Sequence, residues 1–325
     1  MRFINFEEGS GPQELFIDET QAPELSAGKV IIQVHAFGIN RADTLQRQGK
    51  YPPPPGESSI LGLEAAGEII AVADDVSQWR VGDKVFGLMP GGGYAEQAIV
   101  DAGRLMPLPS GVSMEAAAGL AEVFLTAYQA LFSICDVQSG ERALIHAGAS
   151  GVGLAALQLC RLKNIKTAVT ASSSQKLESC KQMGATLLIN YKTQNFAKEL
   201  SAQWQDGVNA IVDFVGGDYL NRNLQVLAKD GSIVYLAMLA GRYADSLDMA
   251  LMLTKRARIQ GSTLRSRTDE YKSKLISAFT RDFLGEFATG NLQVNLDTVL
   301  DVDDIGKAHQ KLEQNDTQGK VVVRW

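Results

Sequence analysis

Cysteine is scarce in this chain, with only Cys135, Cys160 and Cys180 in 325 residues and no two of them close together. That spacing excludes a disulfide framework and a four-cysteine metal site, and it fits a reducing compartment. Histidine is equally sparse: His35, His146 and His309 are scattered, and each reads as structural rather than as a ligand. No run of about 18 apolar residues is there to span a membrane. The start of the chain also lacks the charged-then-apolar pattern of a secretion signal, so a cytoplasmic location is expected. Positive charge is not in surplus, the formal net charge being -6, which argues against nucleic acid as the main partner. The one local basic cluster, Lys255, Arg256, Arg258, Arg265 and Arg267, is explained as a solvated or cofactor-facing surface. Repeats and low-complexity tracts are missing as well.

What is present is ordinary for a globular chain, 45% apolar and 21% charged, and the length suits two domains. The first 120 or so residues read as β-rich. Residues 30–36, 61–72, 81–87 and 94–100 carry strand patterns separated by turn signals, which suggests a barrel-like β domain. Between them Tyr51 is followed by Pro52, Pro53, Pro54 and Pro55, which fix an extended surface loop. From Ser113 to Phe132 the pattern is helical, with Ser113 as N-cap.

Residues 142–162 organise the rest. Residues 143–146 are a short apolar run, 147–153 a glycine-rich turn, and 154–162 carry apolar residues at helical spacing. Strand, tight turn and helix in that order aim backbone N–H groups and the positive end of a helix dipole at one place, where a pyrophosphate is best held. Gly148 and Gly153 match the dinucleotide fingerprint, but Ser150 stands where the middle glycine is usual. The string therefore also fits a turn that only packs a helix on a sheet. Further strands at 166–171, 185–191, 208–214 and 231–237 alternate with helices at 175–183 and 219–227, which calls for a parallel sheet covered on both faces. Helices at 271–287 and 302–312 and a strand at 320–325 complete the chain.

About 20 residues after the glycines, NAD enzymes place an acid that accepts from the ribose 2′-hydroxyl. Here the stretch reads Thr170-Ala171-Ser172-Ser173-Ser174-Gln175-Lys176, with no acid. Hydroxyl donors and an ammonium suit a 2′-phosphate, so NADPH is the expected cofactor. Helix capping by the serines, with Lys176 as a solvated charge, is the alternative, and the two can coexist.

Asn40-Arg41-Ala42-Asp43, Gly62-Leu63-Glu64-Ala65-Ala66-Gly67, Val81-Gly82-Asp83, the turn at 146–153 and Asp213-Phe214-Val215-Gly216-Gly217 together resemble the zinc-free medium-chain dehydrogenases/reductases of the quinone oxidoreductase group, nearest its p53-inducible subgroup. The resemblance covers essentially the whole chain. It implies an α/β protein in which a Rossmann doubly wound parallel sheet, residues 123–261, binds NADPH. A GroES-like β-barrel catalytic domain, residues 1–122, would be completed by a return segment, 262–325, with the active site in the cleft and a homodimer as the assembly. Zinc-dependent relatives supply Cys, His and Cys where this chain has Asn40, Leu63 and Glu122; Leu63 cannot bind a metal, so none is expected.

The resemblance places Asn40, Asp43 and Tyr51 around the substrate, and the nicotinamide carboxamide is expected near Thr126 and Val215. Gly148, Ser150, Gly151, Val152 and Gly153 fall on the pyrophosphate, Ser172, Lys176 and Tyr191 at the 2′-phosphate, and Met238, Leu239 and Ser266 at the nicotinamide end. Without a metal to acidify a hydroxyl, hydride delivery to an electron-poor quinone is the expected chemistry. Tyr51 and Asn40 would donate to the acceptor oxygen, although Tyr51 equally fits packing against its prolines, and Asp43 reads as an internal anchor. The alternatives are an NADPH-dependent alkenal or enone reductase, which needs a proton donor, and a non-catalytic NADPH- or RNA-binding protein.

Overall fold

The computed structural model describes all 325 residues. Contacts divide them into two units, Met1–Leu125 with Leu264–Trp325, and Thr126–Thr263. The chain opens with a hairpin of β1 (Arg2–Asn5) and β2 (Phe16–Glu19). All four residues of β2 are exposed, so no apolar alternation marks it in the sequence. Then come β3 (Lys29–Gly38), α1 (Arg41–Arg47), β4 (Glu64–Val72), β5 (Lys84–Leu88), β6 (Gln97–Asp101), β7 (Leu105–Pro107), α2 (Met114–Ala118) and α3 (Ala121–Tyr128).

Two strand expectations shorten here for local reasons. The strand expected from residue 61 begins at Glu64. Before it, Gly62 has φ +108, and a Cβ there would lie 2.5 Å from the Tyr94 nitrogen, so the backbone turns where only glycine fits. The strand expected from residue 81 begins at Lys84, because Arg80 to Asp83 closes a turn in which Asp83 accepts from the Arg80 N–H at 2.9 Å.

In the middle of the chain, strands and helices alternate: β8 (Arg142–Ile145), α4 (Gly151–Leu162), β9 (Lys166–Ala171), α5 (Ser174–Gln182), β10 (Leu187–Asn190), α6 (Phe196–Gln203), β11 (Val208–Asp213), α7 (Tyr219–Val226), β12 (Leu227–Tyr235), α8 (Met249–Lys255) and β13 (Arg258–Gly261). The return segment supplies α9 (Asp269–Phe279), α10 (Gly285–Ala288), β14 (Leu296–Asp301), α11 (Ile305–Glu313) and β15 (Lys320–Arg324). The single helix expected over 271–287 is interrupted by a π-helical stretch, Thr280–Leu284. A second such stretch, Gln129–Ile134, follows α3, and α2 is closed by Gly119.

The first unit is built on a sheet in the order β14-β15-β3-β4-β5-β7, with β6 paired to residues 29–33 of β3. Only β14 and β15 run parallel; the other pairs are antiparallel. Its core joins Val30, Ile32 and Phe37 of β3 to Ile69, Val85, Tyr94 and Val100, and to Ile305 and Val321 from the return segment. The second unit is a six-stranded, wholly parallel sheet in the order β10-β9-β8-β11-β12-β13. That is the doubly wound order, reversing direction between β8 and β11, and such sheets bind ligands outside the carboxyl ends of the strands at that reversal. The expected α/β class, a Rossmann sheet with a GroES-like β domain, is the observed one.

Candidate active site

The reversal point of the second unit carries the glycine turn. Gly148 and Gly153 are required by packing: a Cβ on Gly153 would stand 2.5 Å from the Gly148 carbonyl oxygen, and one on Gly148 would stand 2.8 Å from Val169 Cβ. Helix α4 can therefore start hard against the sheet. Ser150 needs no glycine freedom, since its φ is -70; its hydroxyl caps α4 by accepting from the Gly153 N–H at 3.1 Å. The one left-handed residue of the turn is Ala147, φ 49. The N–H groups of Gly151 and Val152 open a twelve-residue helix, where the first turn lacks intrahelical acceptors and the dipole favours an anion.

A buried hydrogen-bond chain braces this end of the sheet. The His146 ring, just after β8, meets the Thr170 hydroxyl of β9 at 2.9 Å and Asn223 Oδ1 of α7 at 2.8 Å. Asn223 donates from Nδ2 to Asp213 Oδ2 at 2.6 Å, and Asp213 Oδ1 accepts from the Val215 and Gly216 N–H groups. Burial lowers the His146 pKa, so the ring stays neutral and bonds at both nitrogens. The loop after Asp213 bonds the loop after β12: Leu239 N–H donates to Phe214 O at 3.0 Å and Ala240 N–H to Val215 O at 2.8 Å. Val215, Met238 and Leu239 are thus brought together, with Met238 and Leu239 more than half exposed.

At the end of β9, Ser173 caps α5 by accepting from the Lys176 N–H at 3.3 Å, while Ser172 and Lys176 are partly exposed and Tyr191 is exposed after β10. Thr126 lies on α3, partly buried. Of the basic cluster, Arg256 pairs with Asp230, the Lys255 ammonium donates to the Leu227 carbonyl, and Arg265 is buried.

In the first unit, Asn40 precedes α1, and Asp43 ties that helix start to the turn at Gly62. Its carboxyl accepts from the Asn40 N–H at 2.8 Å and the Gly62 N–H at 3.1 Å. It is fully buried, and burial raises its pKa to about 6 against these two bonds. Asp43, grouped above with the substrate-facing residues, is by this geometry a positioning residue for Asn40. The Asn40 amide donates to Glu64 Oε1 at 3.0 Å and accepts from the Lys320 ammonium at 2.8 Å. Lys320 also meets Glu64 Oε1 at 2.6 Å and the Ile39 carbonyl at 2.9 Å. Glu64 Oε2 accepts from the Glu122 N–H at 3.0 Å. Both Glu64 and Lys320 are buried, so the pair is held by full mutual bonding.

Glu122 is partly exposed and lines a small cavity with Leu63, Leu88, Met89, Arg265 and Lys272. Burial first, then the Glu64 charge, raises its pKa to about 7. Tyr51 is partly exposed, with the Arg265 guanidinium 5.5 Å from its ring centre. Arg265 in turn donates to Gln46 Oε1 at 2.8 Å and faces Glu57. Ser266 lines a separate cavity of about 530 Å³, together with Pro54, Pro55, Glu57 and Arg104. A zinc ion does not fit beside Asn40: Leu63 offers no donor atom, and the Lys320 ammonium already occupies the Asn40 oxygen. The sequence reading missed Glu64, Lys320 and Arg265. Glu64 stood only within a motif, Arg265 only within the basic cluster, and Lys320 only as the polar start of a strand.

Residues 26–110 match the alcohol dehydrogenase GroES-like domain, and residues 151–281 match the zinc-binding dehydrogenase domain. Mouse quinone oxidoreductase is 31% identical over 275 residues, covering 83% of this chain and 82% of that protein. The zebrafish synaptic vesicle membrane protein VAT-1 homolog is 28% identical over 314 residues, covering 93% of this chain, which spans 65% of its length. Among solved structures, Escherichia coli quinone oxidoreductase complexed with NADPH superposes with a TM-score of 0.89 at 26% identity, with all of both chains covered.

Proposed function

The chain belongs to the zinc-free quinone oxidoreductase group of the medium-chain dehydrogenases/reductases, and from that premise we propose that it reduces quinones with NADPH. The observation that carries the cofactor choice is the end of β9: Ser172, Ser173 and Lys176 stand beside the glycine turn, and no carboxylate is there to accept from a ribose 2′-hydroxyl. A 2′-phosphate takes charge-assisted bonds from such a set. The turn itself fits a dinucleotide, because Gly148 and Gly153 let α4 start hard against the sheet, which sets the free N–H groups of its first turn at the strand reversal.

When bound, the reduced nicotinamide supplies the hydride. The chain's own residues do the rest. Gly151 and Val152 N–H groups hold the pyrophosphate, and the chain from Thr170 through His146, Asn223 and Asp213 fixes the Val215 loop at the carboxamide. Tyr51 donates to the acceptor oxygen as it gains negative charge, and Asn40 is locked in one orientation by Glu64 and Lys320. Placement of donor and acceptor provides most of the acceleration. A second copy of the chain is the expected partner: all four residues of the edge strand β13 are exposed.

Replacing Lys176 with Ala tests the cofactor assignment. NADPH affinity should fall by about 1.5–3 kcal/mol with NADH little changed. Equal losses for both cofactors, or tighter binding of NADH by the wild type, overturn it.

A further inference from the structure

Three groups converge on the buried Glu64 carboxylate of the first unit: the Asn40 amide, the Lys320 ammonium and the Glu122 N–H. Of the carboxyls around it, Asp43 is fully buried and committed to two backbone N–H groups, and Glu64 is locked to Lys320. Glu122 differs from both. Its backbone is anchored on Glu64, yet its side chain is partly exposed and turns to a cavity walled by Leu63, Leu88 and Met89. Arg265, which shares that cavity, lies 5.5 Å from the Tyr51 ring centre. A carboxyl that is held in place, open on one side and next to the groups assigned to the acceptor is positioned to hand over a proton.

We propose that Glu122 is the general acid of the reduction, which extends the acceptors from quinones to α,β-unsaturated carbonyls. This rests on the reductase reading above. In each turnover the acceptor gains a hydride from the reduced dinucleotide and one proton from Glu122. The Glu122 O–H bond breaks as an O–H bond forms on the quinone, or as the enolate left by the alkene is protonated. The carboxylate then recovers its proton from water, so the balance is one dinucleotide oxidised, one acceptor reduced and one proton consumed. An enolate needs a donor more than a hydroquinone oxygen does, so the effect is larger on alkenes.

The groups facing Glu122 keep it protonated near neutral pH. Burial and the charges of Glu64 on β4 and Asp43 on α1 favour the acid, against Lys320 on β15 and Lys272 on α9. Arg265 shares its cavity, and Tyr51 lies within reach of its field. The acid form is therefore lost as pH rises through about 7.

The test uses wild type, Glu122→Gln and Glu122→Asp, with NADPH and a panel of quinones and enones between pH 5.5 and 8.5. On enones, wild-type kcat should decline above about pH 7. Glu122→Gln should lose about 10²-fold or more in kcat at low pH, together with that pH limb, while NADPH affinity holds and Glu122→Asp recovers part of both. Independently of turnover, a carbon-13 titration of the glutamate carboxyls in the cofactor-free protein should show one group with a midpoint near 7 that Glu122→Gln removes. A turning-over wild type whose Glu122→Gln variant keeps rate and pH limb overturns the proposal alone. A wild type that oxidises NADPH with no acceptor of the panel overturns the reductase reading, and this proposal with it.

Discussion

His309 is the clearest case of a single residue setting a solution property. It is fully buried on α11, with Nδ1 at 3.0 Å from the Arg47 guanidinium and Nε2 at 3.1 Å from the Tyr94 hydroxyl. Burial and the Arg47 charge push its pKa down to about 3 from an ordinary 6.5. Between those values the unfolded chain binds a proton that the folded chain refuses, so stability falls as pH drops from about 6.5 toward 3. Asp43 works the other way: raised from 3.8 to about 6, it costs stability as pH rises through that window. Replacing His309 with Gln should flatten the slope of unfolding free energy against pH by up to about 1.4 kcal/mol per unit between pH 6 and 4. Paired denaturant titrations of both proteins read this slope, and parallel curves would refute it. None of this was visible in the sequence beyond the expectation that His309 is structural, because Arg47 and Tyr94 lie 262 and 215 positions away.

Among the elements, the strands buried as apolar runs in the parallel sheet and the helix that follows the glycine turn were legible. β9 runs over the same residues as expected, Lys166–Ala171, and β8, β11 and α4 differ only at their ends. Elements without a buried face were not. α8 has no buried residue, and β13 has all four residues exposed, so neither has an apolar period to read. The first-unit cluster was illegible for a different reason: Asn40, Glu64, Glu122 and Lys320 are far apart in the sequence and meet only through the fold.

The glycine turn gives a test at this scale. Gly153→Ala puts a methyl 2.5 Å from a backbone oxygen, so α4 must move off the sheet. A loss of about 1–3 kcal/mol in stability and weaker NADPH binding are expected. Gly285→Ala, which meets nothing within 4 Å inside α10, is the control and should be neutral or slightly stabilising. Equal melting temperatures for the two variants would contradict the packing role of Gly153.

For the whole molecule, the open edge of the parallel sheet matters most. β13 carries Ile259, and exposed Tyr243, Leu247, Met249 and Leu253 lie in the same unit. An unprotected edge strand with apolar neighbours pairs with another strand, and a two-fold axis lets each copy do this with the same surface. If the proposed dimer forms through this edge, Ile259→Lys, which adds charge to it, should convert the dimer into a monomer and leave dinucleotide affinity unchanged. Light scattering after gel filtration measures this directly, and a wild type that is monomeric at micromolar concentration would sink the assembly expected from the family.

β15, made long after the β3 strand it pairs with, lies between β14 and β3 rather than at a border of its sheet. During synthesis the 126–263 unit emerges whole and can fold while the chain is still tethered to the ribosome. The other unit lacks the β15 pairing along β3 until Lys320–Arg324 have been made, so a chain cut short before them loses an interior strand from the unit that carries Asn40 and Tyr51.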